Sequence, residues 1–513
     1  MLPVFHRIHP HPIESGVVAV SDQLMKFQIN PVACIAGILS LLAVNSGNAA
    51  MRDVTKFYAE GCAICHGKNL EGAQATSLID DEWKHGGDDE SIARGIRDGY
   101  PTNGMVAWKG VLTEAEIRAM VVFIREKAEQ ARRGKLVFAK PADNQVIESQ
   151  AHKFRLVTMP GEVQAPSSIA FLPDGRMLVT ERTGRLRIFE NGRLLPEAVK
   201  NTPACFVRGQ GGLLAVAPHP QFASNGWVYL AFSHPLTNQQ GGALAMTSVV
   251  RGRIRNNQWA DEQIIFRAAP ESYRPTELHF GSRLTFDDAG HLFFSIGERG
   301  FKEHAQDLSL PNGKVHRVMD DGRIPSDNPF VNASNAVPSI WSYGNRNPQG
   351  LVWNTATREL WETEHGPRGG DELNLIGKGL NYGWPEITYG MDYNGTPISA
   401  FTAKDGMEQP VTHWTPSIAV CAATFYTGDK FSQWRGNLFV TALAQQELRR
   451  VVIEGHRVVS QEVLFKDVGR VRDVVTGADG CLYVTFNGPD RVARIEPVAG
   501  GATDVAPVAA PQK

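Results

Sequence analysis

From about residue 165 to 497 the chain repeats one pattern. A polar turn rich in Gly, Asp, Asn and Pro is followed by a short run of β-branched, aromatic and leucine residues. Phe171-Leu172-Pro173-Asp174-Gly175 leads into residues 176–180, and Gly184 opens the run 185–189. Asn225-Gly226 leads into 227–232, Asp287-Asp288-Ala289-Gly290 into 291–295, Gly436-Asn437 into 438–440, and Asp479-Gly480 into 481–484. Such units predict short strands joined by tight turns. No long helical period interrupts them, so a doubly wound or (β/α)8 arrangement fits badly. At roughly 40–60 residues for a four-stranded blade, this stretch makes six blades, with five and seven the neighbouring counts. The expected fold is therefore mainly β, a six-bladed β-propeller whose loops ring a central channel. That concave face is the default site.

Ahead of this region the pattern is helical. A helix is expected over 53–60, and Ile117, Met120, Val121 and Ile124 mark one face of another. Thr113 and Glu116 form a capping box at its start. These elements predict a small all-α domain over 51–135, joined by a linker and incoming strand over 136–164. Residues 498–513, rich in Gly, Ala, Pro and Val, read as a flexible tail.

The front of the chain has a different character. Residues 1–24 are patternless and read as an upstream extension outside the natural start. Met25-Lys26, an apolar core over 32–44 and the small residues Asn48-Ala49-Ala50 then read as a secretory signal, residues 25–50. The mature chain is expected to begin near Met51. The apolar core is too short to span a bilayer comfortably, a single N-terminal anchor helix being the other reading. Cys34 opens the apolar run instead of following it, so no lipid is expected there. The location implied is the periplasm of a Gram-negative bacterium, with no stable membrane insertion after cleavage. Net charge is −2 over 513 residues, and no basic stripe is present, so a nucleic-acid partner is not expected. Beyond residue 66 the cysteines are Cys205, Cys421 and Cys481. A Cys421–Cys481 disulfide and buried free thiols are both open.

Cys62-Ala63-Ile64-Cys65-His66 carries the first chemistry. It is the attachment pattern for one covalent haem c, with thiols for the vinyl carbons and an imidazole for iron. The helix, this motif, a loop methionine in Asn103-Gly104-Met105-Val106-Ala107-Trp108 and the closing helix together resemble a class I cytochrome c. The resemblance implies His66 and Met105 as axial ligands. Alternatives for Met105 are a packing role with an open sixth position or another ligand, His85 being the nearest.

Several propeller segments hold more polar detail than turns need. They include Gly209-Gln210-Gly211-Gly212, Glu277-Leu278-His279-Phe280-Gly281, Gly297-Glu298-Arg299-Gly300, Tyr343-Gly344-Asn345-Arg346-Asn347-Pro348, Glu364-His365-Gly366-Pro367-Arg368-Gly369-Gly370-Asp371 and Gly469-Arg470-Val471-Arg472. Their glycines, arginines, amides, histidine and carboxylates suit an anionic ligand. In order and spacing they closely resemble the soluble quinoprotein glucose dehydrogenase and aldose sugar dehydrogenase family. That family holds pyrroloquinoline quinone (PQQ) and calcium on a six-bladed propeller and oxidises the anomeric hydroxyl of sugars.

The resemblance implies His279 as general base, with hydride passing from the sugar to PQQ. It implies Glu298 as the partner carboxylate, where the family usually has aspartate. Arg346, Arg470 and Arg472 become charge partners of PQQ, and Asn347 and Gln210 its amide contacts. Gly366 and Pro367 would offer backbone carbonyls to calcium, with Asp371 in support. One departure is Ala444, at the position where the glucose dehydrogenase branch has a lysine. The function implied is a periplasmic PQQ- and calcium-dependent aldose dehydrogenase. It would pass electrons through its own haem to a periplasmic or membrane-bound acceptor. Two other classes compete: a non-enzymatic haem-tethered propeller for sensing or docking, and a calcium-dependent propeller lactonase. The first would lack cofactor-driven chemistry, and the second would need a carboxylate-rich metal centre without an arginine cluster.

Overall fold

The computed structural model describes residues 51–502. The upstream extension, the secretory signal with Cys34, and residues 503–513 lie outside the described residues. No described helix is long and apolar enough to cross a membrane.

The chain opens with helices. Asp53 caps α1 (Val54–Phe57), its carboxylate accepting from the N–H groups of Thr55 and Lys56. A π turn, Tyr58–Cys62, carries the run into α2 (Ala63–His66), so the haem motif sits on an irregular helical turn. Then come α3 (Asp89–Asp98) and α4 (Glu114–Gly134). The capping box expected at Thr113 and Glu116 is formed in both directions. Ile117, Met120, Val121 and Ile124 are all buried, packed with Val54, Phe57, Tyr58, Ile92 and Ile96.

Next come two strands, β1 (Val146–Glu148) and β2 (His152–Thr158), and then the blades. Blade 1 holds β3 (Pro166–Phe171), β4 (Met177–Glu181), β5 (Arg185–Glu190) and β6 (Arg193–Leu194). Blade 2 holds β7 (Leu213–Pro218), β8 (Val228–Thr237), β9 (Ala243–Arg255) and β10 (Gln258–Arg267). Blade 3 holds β11 (Leu284–Phe286), β12 (Leu292–Ile296), β13 (Lys314–Val318) and β14 (Ile340–Tyr343). Blade 4 holds β15 (Pro348–Asn354), β16 (Glu359–Glu364), β17 (Asp371–Ile376) and β18 (Thr412–Trp414). Blade 5 holds β19 (Val420–Phe425), β20 (Leu438–Ala442), β21 (Glu447–Glu454) and β22 (Arg457–Lys466). The last sheet runs β23 (Arg470–Thr476), β24 (Leu482–Asn487), β25 (Arg491–Ala502), β2, β1.

All sheet neighbours are antiparallel, and the first strand of each blade packs on the first strands of both neighbours. This is the six-bladed propeller that the repeated turn-and-strand unit predicts. Apolar side chains fill the gaps between blades: Phe154, Phe431, Trp434 and Phe439 between blades 5 and 6, and Tyr229, Phe294 and Met246 between blades 2 and 3. The segment expected as linker and incoming strand holds β1 and β2, which complete the last sheet. Leu156 pairs with Ile495 and Arg155 with Glu496, so the ring is closed by strands from both ends of the fold. At the other end β25 runs on to Ala502, into the stretch whose composition reads as a tail.

The helical region packs directly on loops of blades 4 and 5. Val54 N–H donates to the Gly395 carbonyl (3.0 Å), and Met391 lies in the helical core. Arg368 bonds Glu126 at 2.9 Å, and Arg133 pairs with Glu447. A Cβ built on Gly369 would lie 3.2 Å from Val122 of α4.

Candidate functional site

In every blade the start of the first strand lies beside the end of the second: Pro166 pairs with Glu181, Leu213 with Phe232, Leu284 with Phe294, Pro348 with Glu364, Val420 with Ala442 and Arg470 with Asn487. Loops that enter first strands and leave second strands therefore share one face of the ring. The polar segments singled out in the sequence all lie there.

The centre of the site is a histidine–carboxylate pair. His279 Nδ1 lies 2.7 Å from Glu298 Oε1, and the two residues are 9% and 1% exposed. Glu298 is held below its ordinary range by that hydrogen bond and by nearby Arg346, against the opposing effect of burial. An ionised carboxylate can only accept, so the imidazole carries its proton on Nδ1 and keeps Nε2 as a base. Burial lowers the His279 pKa more than Glu298 raises it, so the ring is neutral near pH 7. His279 has φ +51°, a left-handed backbone that a non-glycine residue adopts only under constraint. The constraint is visible: Gln210 Oε1 accepts from His279 N–H (2.8 Å), and a Cβ on Gly297 would meet the His279 carbonyl at 2.3 Å.

Blades 3 and 4 continue the network. Glu298 N–H donates to the Arg346 carbonyl (2.9 Å), and the other Glu298 oxygen accepts from Gly300 N–H. Asn347, fully buried, accepts from Gly281 N–H at 3.0 Å, while its Nδ2 has no partner among the described residues. Arg346 Nη1 donates to the carbonyls of His365 (2.9 Å) and Gly366 (2.8 Å). Asp371 is buried and its oxygens accept from Gly366 N–H, Ser417 Oγ and Val420 N–H, so it shapes the Gly366-Pro367 turn. Burial pushes its pKa to about 6. Arg346 Nε and His365 Nε2 are further buried polar atoms with no partner among the described residues.

Arg472 shares a cavity with Gln210, Ser167 and Gln349. Among the described residues it bonds Gln349 Oε1 (3.1 Å), Asn487 Oδ1 (3.4 Å) and Cys421 Sγ (4.0 Å), and no carboxylate. Arg470 opens β23 on the exposed rim. Ala444 is exposed after β20, its N–H bonded to the Ile418 carbonyl. Cys421 lines the same cavity as Arg472, and Cys205, Cys421 and Cys481 are all free, so the Cys421–Cys481 disulfide is not formed. Sequence reading passed over Gln349 and His365, although both fall within or beside the polar segments, and it passed over Arg182. The signal for Arg182 was positional: it follows β4 as Glu298 follows β12. A groove of about 630 Å³ beside Trp341, Trp353 and His456 touches none of these residues.

A second cluster lies in the helical region. Cys62 and Cys65 are free thiols one turn apart. His66 Nδ1 lies 3.3 Å from the Thr76 carbonyl, which leaves Nε2 available. Met105 is half-buried in its loop, bridged to Tyr100, on which His85 stacks at 3.9 Å.

Residues 163–494 match the family model described as glucose/sorbosone dehydrogenase. The chain belongs to that family. Among its glucose/sorbosone dehydrogenase relatives is the aldose sugar dehydrogenase YliI of Escherichia coli strain K12. It is 42% identical over 325 residues, covering 62% of this chain and 86% of that protein. The crystal structure of the soluble aldose sugar dehydrogenase of Escherichia coli, in its apo form, superposes with a TM-score of 0.63 at 38% identity, covering 67% of this chain and 100% of that one. The PQQ-bound aldose sugar dehydrogenase of Streptomyces coelicolor superposes with a TM-score of 0.55 at 25% identity, covering 70% and 99%. Residues 49–124 match the model described as cytochrome c oxidase, cbb3-type, subunit III, so the helical region is cytochrome-related. The chain is thus an oxidoreductase with a dehydrogenase propeller behind a small cytochrome-related domain.

Proposed function

We propose that this chain is a periplasmic quinoprotein sugar dehydrogenase that oxidises the C1 hydroxyl of aldoses to lactones at its propeller. It relays the electrons through a covalent haem c in its helical region to a periplasmic or membrane-bound acceptor. The observation that carries this reading is the buried His279–Glu298 pair beside polar atoms that lack partners among the described residues. The relatives support it, being aldose sugar dehydrogenases, one of them in a PQQ-bound form. No group of three or more His, Cys, Asp or Glu side chains placed to hold a metal ion, as a metal hydrolase needs, occurs among the described residues.

The residues fit PQQ. Arg470 and Arg472 offer charge-assisted bonds to carboxylates, and the unpartnered Asn347 Nδ2 offers a further donor. When bound, PQQ supplies the two-electron acceptor for the hydrogen at sugar C1. His279 Nε2 takes the proton of the C1 hydroxyl. Glu298 fixes the ring's orientation and stabilises the imidazolium. In this structure Gln210 serves His279 directly, its carbonyl oxygen holding the histidine N–H.

Calcium fits less well. The protein offers backbone carbonyls at Gly366 and Pro367, yet the Gly366 carbonyl already faces the Arg346 guanidinium, and the Asp371 oxygens already accept three hydrogen bonds. These atoms do not make a calcium site by themselves. The helical cluster does fit haem: two free thiols, an imidazole oriented by a carbonyl, and a loop thioether. When bound, haem supplies a one-electron carrier. His66 and Met105 would be the axial ligands.

The test is PQQ-dependent haem reduction by the purified full chain, followed in the haem α-band against an aldose panel with His279→Ala alongside. Reduction that needs sugar, PQQ and His279 is the expected result. No PQQ binding by folded, calcium-supplied protein would overturn the cofactor assignment.

A further inference from the structure

Arg182 belongs to the same face as the proposed cofactor residues, and no described residue neutralises it at close range. It follows β4, the second strand of blade 1, directly, on the same face where Glu298 follows the second strand of blade 3 one residue further on. Its N–H donates to the Ala165 carbonyl at 3.0 Å, which anchors the turn beside the start of β3. The neighbouring Pro166 carbonyl accepts from Asn487 Nδ2 (3.1 Å), and Asn487 Oδ1 accepts from Arg472 Nε (3.4 Å). Asn487 also stands opposite Arg470 in the sheet. On its other side the Arg182 carbonyl backs onto Gly212, where an added Cβ would lie 2.0 Å away; Gly212 follows Gln210 in the loop that holds His279. Arg182 thus stands between the arginine corner and the base-holding loop.

Its guanidinium makes no salt bridge among the described residues. Arg182 Nε is buried with no hydrogen-bond partner among the described residues. Asp490 is the carboxylate that offsets it, and both Asp490 oxygens already accept backbone N–H groups, from Ala165 and Gly488. Burial, then Arg472 and Arg470, pull the Arg182 guanidinium below its ordinary range, as expected of clustered cations without an anion. Arg472 has no carboxylate partner among the described residues; its bonds go to two amide oxygens and the Cys421 sulfur. Across the ring, Ala444 contributes no cation.

We propose that Arg182 is a carboxylate-binding residue of the site, forming with Arg470 and Arg472 a three-arginine anion seat. This inference rests on the proposed function above, because the carboxylate it takes belongs either to PQQ or to an acidic sugar. Guanidinium is well matched to such a ligand, since it stays charged and grips a carboxylate at two points.

The experiment compares wild type, Arg182→Gln and Arg182→Lys as full-length, haem-loaded protein. PQQ affinity is read by titration calorimetry, and KM is read with glucose and with glucuronate. Arg182 has no side-chain bond among the described residues, so Arg182→Gln should melt with wild type, and Arg182→Lys provides a charged control. A loss of PQQ affinity of about tenfold or more in Arg182→Gln, largely restored by lysine, assigns the seat to the cofactor. Unchanged PQQ affinity with a KM raised about tenfold for glucuronate alone assigns it to an acidic substrate. Wild-type values throughout in Arg182→Gln overturn the inference and leave the proposed function standing. Failure of wild type to bind PQQ overturns both.

Discussion

Replacing Glu298 with glutamine tests the reaction chemistry at its most constrained point. The substitution keeps the length and volume of a side chain that is 1% exposed. It removes the charge from the 2.7 Å contact with His279 Nδ1. A hydrogen bond to a charged group is worth about 1.5–3 kcal/mol, and its loss alone would slow the reaction about 10- to 100-fold. The amide adds a second fault. If its NH₂ turns to Nδ1, the imidazole must carry its proton on Nε2, where a base is needed; in serine hydrolases the equivalent error costs about 10⁴-fold. The expected fall in kcat is therefore between about 10² and 10⁴, with PQQ affinity near wild type because Glu298 is not assigned to the cofactor. The pH profile supplies an independent readout. His279 already lies below its ordinary value, and Glu298 is the group that raises it. Wild-type kcat/KM should fall on the acid side through an apparent pKa below 6.5. Glu298→Gln should move that limb to still lower pH. The assay is stopped-flow reduction over a range of sugar concentrations at each pH, giving kcat and kcat/KM, with melting curves to confirm folding. A folded variant with kcat within about threefold of wild type and an unmoved acid limb would refute the pairing as a catalytic device.

Substituting both Cys62 and Cys65 with alanine should abolish covalent haem, read by haem stain after denaturing electrophoresis. Sugar oxidation with a soluble dye acceptor should persist; its loss would place the helical region in the chemistry itself. Gly369→Val should loosen the contact between α4 and blade 4. Gly369 has φ +78°, and a Cβ there meets both Val122 and Thr415 at 3.2 Å, so a cost of about 1–3 kcal/mol is expected. Limited proteolysis near residues 135–145 should accelerate, and an unchanged cleavage rate would count against a specific interface. Glu372 lies among the buried carboxylates Glu362 and Glu364, and burial raises its pKa to about 7. Its folded value exceeds its unfolded value, so its contribution is full below about pH 4.5 and is lost as pH rises to about 7. Glu372→Gln should raise Tm at pH 8 in chelator with no gain at pH 4; equal shifts at both pH values would show that the proton is not responsible.

The strands were readable because each repeats a local signal, a turn residue set followed by a short apolar run. His279, Arg346 and Asn347 were readable because glycine-rich loops with costly polar residues are hard to explain as turns. The pairing of β2 with β25 was not readable, since register between distant strands depends on which face meets the core, and that has no local signature. Arg182 escaped for a different reason. An arginine in a tight turn looks like a solvated surface residue, and only the closed ring reveals that two other arginines approach it. The apolar face of α4 was legible as a core face, but Val122 gave no sign that part of it would press on a propeller loop.

The closure of the last sheet bears on the order of events during synthesis. β1 and β2 leave the ribosome early, and β25, the strand that pairs with β2, emerges last. The same holds for docking: the helical region rests on Arg368, Met391, Gly395 and Glu447, all encoded late. The thiols of Cys62 and Cys65 therefore exist for most of synthesis on a segment that has no propeller to lie against. Under the proposed function, haem ligation can proceed on this early fragment, and a chain cut short before residue 470 would give a haem-stainable helical region attached to an unclosed ring.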